Sequence, residues 1–465
     1  MPETGLPLKP YHLFQHRGKH YCLNVEEMQA HALSEPEASL LERYRAAPDA
    51  QLSTEQIALL QKLALWGDDA KQTQPKPPEP DVAPLPVISL TLILTEECNL
   101  GCVYCYGQEN NTGRMSEATA RRAIDWFVGQ AGNVQDLNVT FFGGEPLLMF
   151  PLMKKVADYA LAKAKAASKE IAFQITTNGT LLDEEIIDFL KEYQVRVLVS
   201  LDGPKEIHDA QRPFPDGRGS YDLLLPKIQK LLAAIPQAVA HAVIMDDTDP
   251  VPIKASLKDL GFASISTNFA SLASLDFADG QKAAPRDFSP AIAENIKESD
   301  AWLDLIKKRD SQKLHHLAKN SHLLTAMTAL LHQRKRYHAC GAGLGLLAVG
   351  TSGDLYLCHR FNNQEEYRLG SVDDNTYADS AYRLSPTLFN PLCRVCFARY
   401  YCAGSCKYDN AASCGSVHTP PKEICQLRQS ELELAASVVV SLSKEDQEYL
   451  VAQGLIRPKP CLLDF

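Results

Sequence analysis

Apolar and polar positions follow two different periods along the middle of the chain. Short apolar runs rich in β-branched residues predict strands, and longer stretches with apolar residues every three or four positions predict helices. The predicted strands are VISLTLIL (87–94), LNVTFF (137–142), IAFQITT (171–177), VRVLVSL (195–201), AHAVIM (240–245) and ASISTNF (263–269). The helices predicted between them span 117–130, 152–167, 184–193, 222–233 and 253–260. This order predicts an α/β fold, a partial (β/α)6 barrel of parallel strands over residues 88–270.

The chain before this region has a different pattern. Six prolines within 71–87 favour extended polyproline II and predict a semi-rigid linker. Before the linker, YHLFQHRGKHYCLNV (11–25) predicts two strands around a turn, and EPEASLLERYR (35–45) predicts a helix. Residues 1–70 are similar in size and order to a winged-helix-like module that recognises peptides. The linker predicts that this module is separable.

A helical region follows the predicted barrel. Residues 289–335 have an amphipathic pattern, and we interpret 271–337 as a helical bridge. It contains His315, His316 and His322. We expect these histidines to be solvated or to cap helices rather than to bind a metal.

Polar motifs follow each of the first four predicted strands. They are TEECNLGCVYCYGQ (95–108), GGEP (143–146), TNGT (177–180) and SLDG (200–203). In barrels of parallel strands, the loops at the carboxyl ends of the strands build the active site. The sequence therefore predicts a functional site on that rim.

Composition and charge restrict the classes of function. The 465 residues are 45% hydrophobic and 22% charged, and the formal charge of −10 gives no reason to expect nucleic acid or an anionic membrane as partner. No apolar run approaches the roughly 18 residues of a spanning helix, and none resembles a signal peptide, so we expect a cytoplasmic protein. Thirteen cysteines are many for a compartment where disulfides are rare, and their clustering predicts metal binding.

The cysteines after the first strand have a spacing that predicts an iron–sulfur site. Three and two residues separate Cys98, Cys102 and Cys105. A structural zinc site is closed by four ligands, whereas three thiolates on one loop suit a cubane cluster that leaves one iron open. The alternative is three buried thiols on one helix face, but Asn99 and Gly101 within the run favour a loop.

This Cys-x3-Cys-x2-Cys motif, with Tyr104 before the last cysteine, resembles the radical S-adenosylmethionine (SAM) superfamily. The resemblance extends from Ile88 to about Asn268 and includes GGEP. It implies that the open iron binds the amino and carboxylate groups of SAM. It also implies that one electron from the cluster cleaves the sulfonium, which leaves a 5′-deoxyadenosyl radical that removes hydrogen from the substrate.

The same resemblance implies further contacts to the cofactor. Gly143, Gly144 and Glu145 would receive the methionine ammonium, since glycines allow close approach and a carboxylate suits a cation. Ser200 and Arg212 match positions that hold the ribose and the carboxylate. The alternatives are a simple glycine turn, and an Arg212 that pairs with Asp202 or Asp209 instead.

A second group of cysteines lies in residues 338–430. The remaining residues, 431–465, are predicted to form a helical tail. The spacing of the second group, which includes the four cysteines of CRVCFARYYCAGSC (393–406), is similar to that of the SPASM domain, the seven-cysteine extension of radical maturases that modify peptides. That resemblance implies an outer cluster held by Cys393, Cys396, Cys402 and Cys425. It implies an inner cluster held by Cys340, Cys358 and Cys406, with one iron open. Together with the first cluster this makes three [4Fe–4S] clusters.

The identity of the metal and the role of three cysteines are still open at this point. Zinc is the alternative to iron, because Cys393 and Cys396 alone would suit a zinc ribbon. Cys22, Cys414 and Cys461 are unassigned, and Cys414 is near enough in sequence to be a fourth ligand of the inner cluster.

The motifs CHRF (358–361), FFGGEPLL (141–148), GRGSYDLLLPKI (217–228) and ARYYCAGSC (398–406) resemble thioether-forming peptide maturases. They are most similar to the family that matures quinohemoprotein amine dehydrogenase. This resemblance implies bonds between Cys sulfur and side-chain methylene carbons of Asp or Glu in a small protein. It also implies a substrate thiolate on the open inner iron and an external electron donor of flavodoxin or ferredoxin type.

Three other functions stay open at this point. Sulfatase-type maturases that form formylglycine carry Asp where this chain has His359. Here His359 is either the base that takes the thiol proton or a structural histidine. Carbon–carbon crosslinking and a non-enzymatic iron–sulfur electron carrier are the remaining alternatives.

Overall fold

The computed structural model describes residues 8–46, 52–66, 86–107, 112–245, 248–270, 287–319, 321–374 and 387–456. Almost all of the predicted linker and Cys461 lie outside the described residues. The chain forms two compact units. The sheet unit comprises Asp81–Ala284 and Gly341–Leu384, and the terminal unit comprises Met1–Pro80, Pro285–Cys340 and Ser385–Phe465. The predicted division into five regions and a linker stays a prediction.

The N-terminal part of the terminal unit is a small sheet followed by two helices. Its elements are β1 (Tyr11–His16), β2 (Lys19–Asn24), β3 (Gln29–Leu33), α1 (Glu35–Ala46) and α2 (Thr54–Lys62). The strands are antiparallel in the order β1-β2-β3. The first two strands and α1 agree with the predicted pattern, whereas β3 and α2 were not predicted. Ser53 begins α2 because its side chain accepts a hydrogen bond from the backbone N–H of Gln56.

All six predicted strands form in the sheet unit. The strands are β4 (Ser89–Thr95), β5 (Asp136–Gly143), β6 (Glu170–Thr177), β7 (Arg196–Ser200), β8 (Val239–Ile244) and β9 (Ser264–Phe269). The helices are α3 (Glu117–Gln130), α4 (Phe150–Ala166), α5 (Glu184–Glu192), α6 (Lys205–Gln211), α7 (Tyr221–Ala234) and α8 (Pro250–Asp259). The strands pair in parallel and in chain order, so the fold is mixed α/β with a parallel sheet.

Three short strands extend this sheet beyond its first strand. They are β10 (Leu346–Val349), β11 (Asp354–Tyr356) and β12 (Arg368–Ser371). β10 is parallel to β4, and β11 and β12 continue antiparallel, which gives nine strands in the described part of the sheet. The cysteine spacing assigned these residues to the cysteine-rich domain, and no strands were predicted in them because runs this short carry no clear period. Cys358 follows β11 and therefore belongs to the sheet unit.

The two faces of the parallel sheet differ in chemistry. Side chains alternate between faces along a strand, and residues opposite each other on neighbouring strands share a face. Ser200 lies opposite His241, and His241 lies opposite Ser266. These residues define a polar face that is level with the carboxyl end of β7 and with the middle of β8 and β9. Their neighbours Val199 and Ala240 are buried on the other face.

The rest of the terminal unit is helical. Its helices are α9 (Ser289–Lys307), α10 (Ser311–Ala318), α11 (His322–Leu331), α12 (Pro391–Val395), α13 (Arg399–Cys402), α14 (Lys407–Cys414), α15 (Lys422–Val440) and α16 (Lys444–Ala452). His315 in α10 hydrogen-bonds to the backbone oxygens of Ser311 and Gln453, at 2.8 and 3.0 Å. None of the helices in the described ranges is long and apolar enough to cross a membrane.

One hydrophobic core joins the first module to these helices. Leu23 and Met28, from the small sheet, are buried in the same cluster as Trp302 of α9 and Leu432 of α15. The His12 ring also stacks on the Phe397 ring, with 3.5 Å between ring centres. The prediction that the first module is separable is wrong, because its buried residues complete the core of the terminal unit.

Candidate active site

The three-cysteine segment is a loop between β4 and α3, so the helix-face alternative is wrong. Hydrogen bonds from the backbone N–H groups of Gly101 and Val103 to the carbonyls of Pro213 and Gln211, 2.8 and 3.0 Å long, fix the loop. The Cys98 side chain is exposed, and the other two are partly buried. The pKa of the Cys98 thiol is raised to about 12 by surrounding protein and, to a smaller extent, by Glu145 and the other two cysteines. The three thiols therefore lie close to one another.

GGEP packs directly against the chain that leads into this loop. The backbone N–H of Gly144 donates to the Thr95 carbonyl and that of Glu145 to the Glu97 carbonyl, both at 2.9 Å. A Cβ on Gly143, whose φ is +147°, would lie 2.1 Å from the Thr95 oxygen. A Cβ on Gly144 would lie 2.3 Å from the Glu97 oxygen. The two glycines are thus required by contact between backbones, whatever ligand they also meet.

Replacing Gly144 by alanine is expected to displace Glu97 and the adjacent Cys98. A shift of about 1 Å in catalytic geometry costs about 100-fold in rate, so we expect SAM cleavage to fall by about that factor. Release of 5′-deoxyadenosine measures the effect. Gly129→Ala in α3 is the matched control, because its Cβ would meet no atom within 4 Å. Equal loss in both variants would contradict the assigned role of Gly144.

Glu145 is a fully buried carboxyl group at this rim. Its side chain accepts hydrogen bonds from the Leu147 N–H at 3.0 Å, the Thr177 hydroxyl at 2.8 Å and the Asn178 N–H at 2.7 Å. Burial raises its pKa to about 7, although these three donors act in the opposite direction. A nearby cation would stabilise the ionised form, which is compatible with the ammonium-binding role that the sequence predicted.

TNGT, at the end of β6, makes hydrogen bonds to the cysteine loop. The Asn178 Nδ2 donates to the Asn99 Oδ1 at 2.8 Å and lies 3.8 Å from the Cys98 Sγ. The Asn99 Nδ2 donates to the Thr180 hydroxyl at 2.8 Å. The sequence placed TNGT on the rim but assigned no role to Asn178 or Asn99. Their mutual hydrogen bond depends on the loop fold, which the motif does not reveal.

SLDG contributes the buried carboxylate of Asp202, for which the sequence suggested only a pairing with Arg212. Asp202 accepts from Arg212 Nε and Nη2 at 2.8 and 3.1 Å, from the Val243 N–H at 2.9 Å, and from the Tyr104 hydroxyl. The Arg212 guanidinium also lies 5.2 Å from the centre of the Tyr104 ring. Of the two alternatives, Asp202 is the partner of Arg212. Asp209 instead accepts from the backbone N–H of Tyr221 at 2.8 Å.

The Asp202 network also reaches the cysteine loop. Burial raises the pKa of the Cys102 thiol, and the Arg212 guanidinium opposes that increase. Arg212 is therefore close to Cys102 as well as to Asp202. Ser200 lies two residues before Asp202 and is buried at the end of β7.

His359 reaches the same edge of the sheet from a different part of the chain. Its ring lies against the Phe142 ring, with 4.4 Å between ring centres, just before Gly143. Burial, Arg360 and His241 together lower the pKa of His359 to about 4. The imidazole is therefore neutral at pH 7.

The predicted outer set lies together in the terminal unit. The pKa of the Cys393 thiol is raised to about 12 by burial and then by the thiols of Cys402, Cys425 and Cys396. The Gln429 Nε2 lies 3.4 Å from the Cys396 Sγ. Four adjacent thiols form a donor set that suits an iron–sulfur cluster.

The predicted inner set is divided between the units. Cys340 and Cys406 belong to the terminal unit and Cys358 to the sheet unit. Cys414 ends α14, which begins directly after Cys406, so about 12 Å of helix separates the two. Cys414 instead contributes to raising the pKa of Cys425. This placement argues against a shared cluster for Cys406 and Cys414.

Among the described residues, no three His, Cys, Asp or Glu side chains converge on a position for a single metal ion. Each thiolate of a cubane binds a different iron, so cluster ligands need to be adjacent without meeting at one point. The three-cysteine loop and the Cys393 group both have adjacent thiols of this kind.

Known proteins resemble the chain in sequence and in fold. An uncharacterized protein of Methanocaldococcus jannaschii, MJ0907, is 38% identical over 131 residues, which cover 28% of this chain and 44% of that protein. The serine-type anaerobic sulfatase-maturating enzyme of Bacteroides thetaiotaomicron is 29% identical over 338 residues, which cover 66% of this chain and 80% of the enzyme. The structure of anSMEcpe with bound AdoMet superimposes with a TM-score of 0.60 at 20% identity, over 79% of this chain and 98% of that one.

A family comparison gives the assignment of the sheet unit. Residues 92–260 match the family model described as the Radical SAM superfamily. The match spans the three-cysteine loop, GGEP, TNGT and SLDG, the four motifs that the fold brings together. Residues 92–260 are therefore similar to the radical SAM superfamily, and a sulfatase-maturating enzyme is among the proteins that resemble the chain.

Proposed function

We propose that this protein is a radical SAM peptide maturase that forms thioether bonds between Cys sulfur and side-chain methylene carbons of Asp or Glu. Its substrate is a small protein or peptide, and the resemblance of the sequence favours an amine dehydrogenase small subunit. One observation carries the proposal. The three-cysteine loop meets GGEP, TNGT and SLDG at one rim of the sheet, where His359, directly after Cys358, lies against Phe142.

The match of residues 92–260 to the radical SAM superfamily implies a [4Fe–4S] cluster and SAM, which when bound supply a carbon-centred radical that takes a hydrogen atom from the substrate. Cys98, Cys102 and Cys105 would hold this cluster. Glu145 would bind the methionine ammonium, with the glycines Gly143 and Gly144 lining the same corner. Ser200, Arg212 and Tyr104 would hold the rest of the cofactor, and Asp202 would keep Arg212 and Tyr104 in place.

The proposed reaction breaks one C–H and one S–H bond of the substrate and forms one C–S bond. The hydrogen atom leaves in 5′-deoxyadenosine, the thiol proton goes to a base, and the remaining electron returns to an iron–sulfur centre. We assign the proton to a ring nitrogen of His359, whose imidazole is neutral at pH 7. Its low pKa makes it a weak base, so this transfer would depend on the acidity that a thiol gains on binding to iron.

Two further clusters complete the proposal. Cys393, Cys396, Cys402 and Cys425 would hold the outer one, supported by their proximity in the terminal unit. Cys340, Cys358 and Cys406 would hold the inner one and leave an iron for the substrate thiolate. Iron binds a thiolate far better than a hydroxyl, which would make the site selective for Cys. An external donor of flavodoxin or ferredoxin type would supply electrons.

A second candidate is the oxidation of a sulfatase residue to formylglycine. It is favoured by the sulfatase-maturating enzyme of Bacteroides thetaiotaomicron, which matches two thirds of this chain. His359 weighs against it, because maturases of that kind carry Asp at this position. The two reactions differ in product, since formylglycine is an aldehyde and a thioether leaves no carbonyl.

The substrate cysteine provides the test of the proposed function. With the anaerobically reconstituted enzyme, we expect a peptide with Cys and Asp to lose two hydrogens per bond formed, measured by mass spectrometry. The matched peptide with Ser in place of Cys should gain no crosslink, since a hydroxyl does not bind the open iron. Cys414→Ala should retain crosslinking and iron. An aldehyde product would contradict the thioether proposal, and loss of a cluster in Cys414→Ala would contradict the open inner iron.

A further inference from the structure

Two polar side chains meet on the polar face of the sheet, outside the set of residues assigned so far. His241 is in the middle of β8, and Asn268 is the second-last residue of β9. Val243 lies opposite Asn268, so Asn268 and His241 are diagonal neighbours on the same face. The Asn268 Nδ2 lies 3.0 Å from the His241 Nε2.

This contact determines which hydrogen-bond donors the pair presents. When Asn268 donates to Nε2, the proton of the neutral imidazole is on Nδ1, and His241 becomes a donor there. Asn268 keeps a second N–H on its amide. In the part of the chain that the structure describes, neither side chain has another hydrogen bond. His241 is partly buried and Asn268 is exposed, so the pair is accessible from solvent.

His241 lies beside the proposed cofactor site. It is opposite Ser200 on the neighbouring strand, and Ser200 lies two residues before Asp202. Burial lowers the pKa of His241, and the nearby Arg212 guanidinium lowers it further. His241 is also near enough to His359 to lower the pKa of that residue, after burial and Arg360. Because Arg212 belongs to the proposed cofactor site and His359 follows the proposed ligand Cys358, we expect the reacting substrate carbon to lie near His241.

We propose that His241 and Asn268 bind the side-chain carboxylate of the substrate residue whose methylene carbon is crosslinked. This inference rests on the proposed function and names the groups that recognise its Asp or Glu acceptor. Two neutral N–H donors suit the two oxygens of a carboxylate. Arg212 is not assigned to it, because its guanidinium pairs with Asp202 and belongs to the proposed cofactor site. A held carboxylate fixes the adjacent methylene group for hydrogen removal.

A change of charge at Asn268 tests this inference. Asn268→Asp places a carboxylate against the acceptor carboxylate, so kcat/KM for a Cys- and Asp-containing peptide should fall by about 100-fold. With a matched peptide in which Asn replaces the acceptor Asp, the same variant should recover activity and exceed the unmodified enzyme. Asn133→Asp, at an exposed position before β5, is the matched control and should change neither value.

Each outcome of this experiment has a definite meaning. Reversal of the preference between Asp and Asn acceptors supports the pair as the recognition site, and recovery with the Asn peptide also proves that the variant is folded. An unchanged preference, or equal loss with both peptides, overturns the inference. Failure of the unmodified enzyme to form any thioether overturns the proposed function and, with it, the recognition site.

Discussion

Replacing Cys98, Cys102 and Cys105 together by alanine is expected to abolish SAM cleavage and to lower bound iron by about a third. The three proposed cubane clusters would hold roughly 12 iron atoms per chain, and the variant should keep roughly 8. The loss should be complete because these thiols form the only described cysteine group on the rim that also carries GGEP, TNGT and SLDG. Iron analysis after anaerobic reconstitution and release of 5′-deoxyadenosine measure the two effects.

The control for this variant is a cysteine with no proposed ligand role. Cys22 is fully buried in the small apolar core of the first module, where burial raises its pKa to about 12. Cys22→Ala should therefore retain all the iron and the cleavage activity. Unchanged iron in the triple variant, or zinc in place of iron in freshly purified anaerobic protein, would contradict the assignment of this loop.

Deletion of residues 1–74 is expected to unfold the terminal unit. Leu23, Val25 and Met28 belong to its main core, and each buried side chain of this kind contributes about 1.5–3 kcal/mol. Their combined loss approaches the total stability of about 5–15 kcal/mol that is usual for a folded protein. The deletion also removes Glu26, which pairs with Arg399 between two of the outer cysteines. We therefore expect loss of the outer-cluster iron and a lower unfolding temperature.

A single substitution gives a graded form of the same test. Met28→Ala should lower the free energy of unfolding by about 2–5 kcal/mol, because Met28 is fully buried. Gln15→Ala, at an exposed position of β1, is the matched control and should have little effect. Thermal and denaturant unfolding measure both. A truncated chain that unfolds at the temperature of the full chain would show that the first module is independent after all.

The sequence by itself determined the order of elements and the identity of the functional rim. Strands and helices have different periods, and these periods depend on neighbouring residues alone, so the six parallel strands could be predicted to within a few residues. The position of each motif relative to its strand also depends on neighbouring residues alone, so it could be predicted too. The rule that the carboxyl ends of parallel strands share an edge then brought the four motifs together before any contact was known.

Only the tertiary structure decided which side chains meet. The pairing of Arg212 with Asp202 rather than Asp209, and of His241 with Asn268, depends on strand register and on loop conformation. The need for Gly144 arises from the approach of Glu97, a residue distant in sequence. The shared core of Leu23 and Trp302 likewise joins segments far apart in the chain. Such contacts are set by packing across the whole chain, and local sequence patterns do not encode that packing.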